Sequence, residues 1–334
     1  MKLQSLHQFL WDKLQAETIS VDLIKVMLDL VLAAKLIAYN ISRNKLFEVA
    51  SGQYPGSLPG AEPHPLNILA HDIFRNFLEK SGKVTCHFSS EITRKTVRED
   101  KSLHTRYIAF INPLDYSNPM DTHESTGSIF SVYPHLENRG AVKTGRLQKL
   151  VGYFLYGNTI TLVLSLGEGV QVFSYDPQIG EFLLTHHNLK ISKESTTYCI
   201  IEESQEEFPA EIQSYLNTLK SSKVENAPRY INKTKQSLIA NMHQCLTGGG
   251  LVLYPQTKRN AQGSLKLMYA GNPMAYLIEQ AGGLAIDGMH PILDRSAKNS
   301  NQCVPFIAGS YQMVKRVLEF YKNKSLSIHS IYCC

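Results

Sequence analysis

The feature that most restricts the fold of this chain is a series of short apolar segments between residues 152 and 185. The segments are Gly152–Leu155, Thr159–Ser165, Val170–Ser174 and Glu181–Thr185. Turn-forming residues fill two of the gaps, Gly167–Gly169 in one and Asp176-Pro177 in another. Apolar runs of this length are typical of β-strands, because helices need about ten residues or more. The block therefore predicts consecutive strands of a sheet, joined by tight turns.

Segments with helical periodicity lie on both sides of this block. Residues Leu6–Ile41 predict two helices that separate near Glu17–Ser20, because apolar residues recur there at helical spacing. Further helices are predicted at Asn67–Lys80, Ala210–Lys220, Thr234–Leu246 and Met274–Gln280. Further strands are predicted at Val84–Phe88, Tyr107–Ile111, Ser128–Val132 and Leu251–Tyr254. The mixed order predicts an α/β fold built in layers.

The length of the chain bounds its number of domains. With 334 residues, 43% of them apolar, the chain can bury enough core for two tightly packed α/β domains. The polar segment Ser192–Thr197 is a candidate hinge. We therefore expect one domain over residues 1–190, a second over 191–325 and a tail over 326–334.

Charge and hydropathy argue against two classes of partner. The net charge of +5 arises from 34 basic and 29 acidic residues in mixed order, without the basic stripe of a nucleic-acid-binding protein. The most apolar stretch, Val21–Ile41, is interrupted by Asp22, Lys25, Asp29 and Lys35, so we expect an amphipathic helix rather than a membrane span. The first residues lack the pattern of a secretory signal, and we expect a cytoplasmic protein.

Three segments carry more information than periodicity does. The first runs from Ile111 to Asp121 and contains Asn112-Pro-Leu-Asp-Tyr-Ser117; the second is Tyr175–Phe182; the third, Leu265–Tyr276, ends in Asn272-Pro-Met-Ala-Tyr276. In this order and at these separations, they resemble the class I fructose-1,6-bisphosphatases. The resemblance extends from about Leu6 to Lys322.

The resemblance implies a layered sugar-phosphatase fold of two α/β domains, usually assembled as a homotetramer. It also implies hydrolysis of the 1-phosphate of fructose 1,6-bisphosphate with magnesium held by carboxylates at the domain interface. The chemistry requires such ligands, because hard cations offset the charge of the phosphate and activate a water molecule. An apolar side chain cannot replace a carboxylate in that role.

Most of the carboxylates implied by the resemblance are replaced in this chain. A pair of glutamates falls on Glu91 and Ile92, and the first aspartate of the central motif falls on Asn112. The second aspartate survives as Asp115. Two further carboxylate positions fall on Asn67 and Ala270. Only Glu91 and Asp115 remain as candidate metal ligands, so we expect weak magnesium binding and a disabled catalytic site, with no cofactor in normal use.

The implied sugar-phosphate pocket is partly kept. Ser117 falls in the central motif, Arg229 and Tyr230 match an Arg-Tyr pair that binds the 6-phosphate, and Tyr254 matches another phosphate-binding tyrosine. Three other pocket positions fall on Ile201, Ser204 and Ser264. Lys266 lies two residues after Ser264 and is a candidate to replace the lost lysine.

These observations leave three functions open. We prefer an inactive or severely impaired family member that binds a sugar phosphate, or that acts as a regulatory subunit in a homo-oligomer or with an active relative. The competing hypothesis is an active magnesium-dependent phosphatase with a metal site rebuilt from Glu91, Asp115, Asp121 and Glu124. A purely structural assembly protein is the third. Such a protein would bind no phosphate. Glu91 and Asp115 are themselves open to two interpretations, a residual metal site or a hydrogen-bonded polar pair at a strand end.

Overall fold

The computed structural model describes residues 3–51, 65–80, 82–89, 105–115, 125–135, 144–221 and 229–331. Within these ranges the side chains of residues 44–51, 202–204 and 323–331 lie outside the description. The predicted α/β layering is confirmed. Two main sheets alternate with three groups of helices, so that the described chain has five layers.

Seven α-helices are described. They are α1 (Leu6–Gln15), α2 (Val21–Ser51), α3 (Pro65–Lys80), α4 (Ala210–Lys220), α5 (Leu238–Gly248), α6 (Asn272–Gln280) and α7 (Tyr311–Ile331). The predicted break between the first two helices is present, and a serine caps the start of each helix. The Ser5 hydroxyl accepts the Gln8 amide at 3.2 Å, and the Ser20 hydroxyl accepts the Leu23 amide at 3.1 Å.

Within the described ranges, the first sheet has seven strands in sequence order. They are β1 (Val84–Phe88), β2 (Tyr107–Asn112), β3 (Thr126–Pro134), β4 (Leu150–Tyr156), β5 (Ile160–Ser165), β6 (Val170–Asp176) and β7 (Glu181–Leu189). Strands β1 and β2 are parallel, and every later neighbour is antiparallel. The two turns predicted from the sequence are present. Gly167–Gly169 lies between β5 and β6, and Asp176-Pro177 lies at the turn from β6 to β7.

The second sheet has five strands in the order β12-β14-β10-β8-β9. Their bounds are β8 (Thr197–Cys199), β9 (Ile231–Asn232), β10 (Leu251–Tyr254), β12 (Leu284–Ile286) and β14 (Phe306–Gly309). A separate pair joins β11 (Leu265–Lys266) to β13 (Cys303–Val304) in antiparallel register. This pair fixes the position of Lys266, which lies opposite Cys303.

Alternating side chains place each sheet between two helical layers. Leu162 and Leu164 of β5 face α1, α2 and α3, whereas Val163 faces α5 and α6. The second sheet repeats the pattern: Val252 of β10 faces α5 and α6, and Leu251 and Leu253 face α4 and α7. Helices α5 and α6 therefore form the central layer between the two sheets.

Several helix boundaries differ from the sequence prediction. Helix α2 continues beyond Ile41 to Ser51, and α3 begins at Pro65 rather than Asn67. Helix α5 begins at Leu238 rather than Thr234, because the Ser237 hydroxyl accepts the Ala240 amide at 3.2 Å and caps the helix there. Helix α6 begins at Asn272 rather than Met274, and a π-helical turn, Leu267–Gly271, precedes it. Periodicity does not signal such a turn. Within the described part of the chain, no helix combines the length and the apolarity of a membrane span.

Candidate active site

The carboxyl ends of the parallel strands β1 and β2 are the natural place for a ligand site in this fold. In open α/β sheets, ligands bind outside the carboxyl ends of parallel strands. Phe88 pairs with Ile111 at this edge, and Ser89 and Asn112 come next. The Ser89 amide donates to the Ile111 carbonyl at 2.9 Å, and its hydroxyl donates to Oδ1 of Asn112 at 2.8 Å. The side chains of Ser89 and Asn112 are thereby held together.

A lysine from a distant part of the sequence completes this edge. The ammonium group of Lys266, on β11, donates to the Ser89 carbonyl at 2.7 Å in a partly buried position. The Leu267 amide donates to the Gln302 carbonyl at 2.8 Å and anchors the next residue. Ser89 thus contacts both side chains, because its carbonyl accepts the Lys266 ammonium and its hydroxyl donates to Asn112, one of the positions where the resemblance implies a carboxylate.

Two of the other replaced positions, Ala270 and Asn67, lie on elements that border this edge. Ala270 belongs to the π-helical turn after Lys266, is 5% exposed and packs in the core beneath the first sheet. Asn67 lies in the first turn of α3, and its amide oxygen is buried without a partner among the described residues. One turn later, the His71 ring contacts the Phe88 ring at 4.5 Å between centroids. Neither position supplies a carboxylate.

The surviving Asp115 is engaged by the start of helix α5. Its Oδ2 accepts the Ser237 hydroxyl and the Ile239 amide, each at 3.0 Å. A carboxylate at a helix N-terminus is also favoured by the helix dipole. Burial raises the pKa of Asp115, and the hydrogen bonds from Ile239 and Ser237 oppose that rise. Asp115 therefore ties the end of β2 to α5 through contacts that need no metal.

Substitutions at Asp115 should separate this hydrogen bonding from metal binding. Asp115→Ala leaves the Ser237 hydroxyl and the Ile239 amide without their acceptor, and we expect it to lower the free energy of unfolding by about 1–3 kcal/mol. Asp115→Asn keeps an oxygen acceptor and removes the charge that burial disfavours, so we expect wild-type stability or more at pH 7. Urea denaturation of both variants measures the difference.

The pH dependence of the same pair has a defined sign. Because the folded pKa of Asp115 is raised, the unfolded chain loses the Asp115 proton at a lower pH than the folded chain does. The stability of wild type relative to Asp115→Asn should therefore fall as the pH rises from about 3.9 through the folded pKa. If the Asn and Ala variants lost the same amount of unfolding free energy, this role for Asp115 would be contradicted.

A cavity of about 170 Å³ lies in the second half of the chain, between the end of β10 and the start of β11. Its apolar lining includes Ile200, Ile201, Phe208 and Leu253, and its polar lining includes Thr234, Asn241, Tyr254 and Ser264. Among the side chains that the structure describes, all those that line the cavity are uncharged. The Tyr254 hydroxyl accepts the Asn241 amide nitrogen at 3.1 Å, and burial raises the pKa of Tyr254.

The predicted pocket residues are thus only partly brought together. Tyr254 lines the cavity with Ile201 and Ser264, two of the positions where the resemblance implies other side chains. Arg229 is exposed, and Tyr230 packs against the core between the second sheet and helices α4 and α7. Within one chain, neither of them lines the cavity.

Several predicted residues lie outside the described ranges. Glu91, Ile92 and Ser117 are among them, as are Asp121 and Glu124 of the alternative metal site. Sequence reasoning in turn missed Ser89 and Ser237. Ser237 carries a detectable signal, since serine is a preferred helix cap, whereas nothing in the sequence links Ser89 to Lys266.

The described donors do not fit magnesium, which requires several oxygen ligands at close range. The Asn112 oxygen accepts Ser89, and Oδ2 of Asp115 accepts two hydrogen bonds. The neighbouring Lys266 is a cation, which repels another cation. Over the ranges that the structure describes, no three His, Cys, Asp or Glu side chains form a group able to hold a metal ion.

Comparison with known proteins identifies the relatives of this fold. The sequence-family model of the fructose-1-6-bisphosphatase N-terminal domain matches residues 4–187. The family model of the C-terminal domain matches residues 191–322. The class 1 fructose-1,6-bisphosphatase of Cytophaga hutchinsonii is 35% identical over 319 residues, covering 93% of this chain and 92% of its own length. The class 1 fructose-1,6-bisphosphatase of Chlorobium phaeobacteroides is 33% identical over 310 residues, covering 91% of this chain and 93% of its own length.

Solved structures agree with the sequence comparisons. The holo form of Leishmania major fructose-1,6-bisphosphatase superposes with a TM-score of 0.85 at 27% identity, covering 96% of this chain and 100% of its own. The apo form gives a TM-score of 0.83 at 28% identity with the same coverage. Matches to both domain models and to relatives above 30% identity over nearly the whole length establish the relationship, and the chain belongs to the fructose-1,6-bisphosphatase family.

Proposed function

We propose that this protein is a severely impaired member of its family, one that binds a sugar phosphate without hydrolysing it at a useful rate. The observation that carries the proposal is at the carboxyl ends of β1 and β2, where Ser89 accepts a hydrogen bond from the Lys266 ammonium and donates one to Asn112. A lysine and an amide there favour an anion and disfavour a divalent cation.

The reasoning follows from what phosphoryl transfer demands. When bound in such enzymes, magnesium stabilises the charge that develops on the transferring phosphoryl group and activates the attacking water. A fixed ammonium can attract phosphate, but it neither lowers the pKa of a coordinated water nor bridges several oxygens. The residues of this chain can therefore bind and orient a phosphate, whereas the step that breaks the P–O bond lacks its main stabilisation.

The sugar-phosphate ligand is inferred from two further facts. The relatives carry the name fructose-1,6-bisphosphatase, and the cavity beside Tyr254 and Ser264 offers hydroxyl groups of the kind that bind a sugar. The protein would act as a regulatory subunit, assembled with its own copies or with an active relative. We propose the cytoplasm as its compartment.

Thermal unfolding with fructose 1,6-bisphosphate tests this function. In EDTA, ligand at about 100 times its Kd should stabilise the protein by roughly 2.7 kcal/mol, seen as a rise in Tm. Adding magnesium should leave that rise unchanged, since no metal is needed to hold the phosphate. Fructose without phosphate is the control and should give a much smaller rise. A shift that appears only with magnesium would contradict the proposal.

A working phosphatase is the second candidate, favoured by relatives named class 1 fructose-1,6-bisphosphatase at 35% and 33% identity. In that case Glu91, Asp115, Asp121 and Glu124 rebuild the metal site. Glu91→Gln would then abolish magnesium-dependent phosphate release. Under our proposal the same substitution has no measurable effect on release, because the basal rate is already very low.

A further inference from the structure

We infer that the carboxyl ends of β1 and β2 form an anion subsite that works without metal, in which Lys266 and Asn112 hold the phosphate of a phosphate monoester. This inference rests on the proposed function and deepens it, since it names the groups that replace the metal. It depends on three features: the free donors of Lys266, the orientation of Asn112, and the position of Lys266 relative to the uncharged cavity.

The first feature is the ammonium group of Lys266. An ammonium has three donors and no acceptor. One donor is used by the Ser89 carbonyl at 2.7 Å, and among the described residues no carboxylate forms an ion pair with the group. With respect to the residues that the structure describes, two donors and the positive charge therefore remain for a ligand. Because the lysine is partly buried, its attraction for an anion is screened less than that of an exposed lysine.

The second feature is the orientation of the Asn112 amide. Its oxygen accepts the Ser89 hydroxyl at 2.8 Å, which leaves the amide nitrogen as the group available to a ligand. No described residue accepts a hydrogen bond from that nitrogen. An aspartate at this position would present a negative charge and only acceptors. The asparagine therefore turns a position suited to a cation into one suited to an anion.

The third feature is the relation between Lys266 and the cavity. Ser264 lines the cavity, and Lys266 follows two residues later on β11. Side chains two residues apart on an extended strand project from the same face, about 6–7 Å apart. A ligand with its phosphate at Lys266 can thus extend its uncharged body towards Ser264 and Tyr254. A small phosphorylated polyol has this shape and charge distribution.

The test is calorimetric titration of the full chain, in EDTA, with inorganic phosphate and with fructose 1-phosphate. Lys266→Met should weaken the binding of both at least about 10-fold, whereas Lys266→Arg, which keeps the charge, should stay within about threefold. Asn112→Asp should weaken both at least about 10-fold in EDTA, because it adds a negative charge at the site. Lys149→Met is the matched control, because Lys149 is an exposed lysine at the far end of the first sheet and should change nothing.

The two probes distinguish the sources of the phosphate. Tighter binding of fructose 1-phosphate supports occupation of the cavity by the sugar, and equal binding of both supports a subsite for free phosphate. Wild-type affinity in Lys266→Met, with unchanged thermal unfolding of that variant, would overturn the subsite. So would phosphate binding that requires magnesium. Rapid release of phosphate from fructose 1,6-bisphosphate would overturn the proposed function but not the subsite. The subsite is tested separately, because binding in EDTA is measured without turnover.

Discussion

Phosphate release from fructose 1,6-bisphosphate should be at least about 10³-fold slower for this chain than for the Cytophaga hutchinsonii relative, measured side by side with magnesium. Removing a single electrostatic contact to a developing charge costs about 10²–10³ in rate. Here Ile92, Asn112 and Ala270 replace three carboxylates implied by the family resemblance, and Lys266 adds a cation nearby. A continuous phosphate-detection assay measures the difference.

Restoration of carboxylates is the matched control for this prediction. The combined variant Ile92→Glu, Asn112→Asp and Ala270→Glu should release phosphate at least about tenfold faster than wild type, and only with magnesium. Because Ala270 is 5% exposed, its glutamate should also lower the Tm in EDTA and regain part of it when magnesium binds. Wild-type turnover within about tenfold of the relative would contradict the impaired function.

The architecture was largely predictable because each element carries a local signal. The strands from β4 to β7 are short and apolar and are separated by turn residues, so their number and order follow from spacing alone. Ser20 separates α1 from α2 by capping the second helix, which is a contact over three residues. Such local interactions dominate where elements begin and end. The layered α/β prediction therefore needed no knowledge of long-range contacts.

The start of α5 shows where local reasoning fails. Residues from Thr234 onward suit a helix, yet the helix begins after Ser237. Part of the reason is Asp115, whose carboxylate accepts Ser237 and Ile239 across more than a hundred residues of sequence. Propensity cannot reveal a contact supplied by the segment that follows β2, since that contact exists only after the sheet and the helix have packed.

For the candidate site, the sequence names candidate residues but cannot show their contacts. Sequence reasoning identified Asn112 and Ala270 as replaced positions and Lys266 as a possible substitute for a lysine in the sugar pocket. In the structure the Lys266 ammonium donates to the Ser89 carbonyl, and the Ser89 hydroxyl donates to Asn112. A role for Lys266 in the sugar pocket stays a prediction. Ser89 lies 177 residues from Lys266 and carries no signal in the sequence. The roles of Arg229 and Tyr230 in binding a 6-phosphate stay predictions.

The two readings of Asp115 illustrate the same distinction. A metal ligand and a hydrogen-bonded residue at a strand end look identical in a sequence. The structure shows the hydrogen bonds, with both contacts to α5 at 3.0 Å. A metal-binding role for Asp115 stays a prediction of the competing hypothesis.

Titration with Mn²⁺, a paramagnetic substitute for magnesium, tests the replacement of metal by lysine most directly. Free Mn²⁺ is followed by electron paramagnetic resonance while protein is added with saturating fructose 1,6-bisphosphate, and the variant with restored carboxylates is the positive control. We predict no saturable binding by the wild-type chain tighter than about 1 mM. Two ions bound per chain with clearly submillimolar Kd would show that groups other than those described here hold the metal, and would contradict the account.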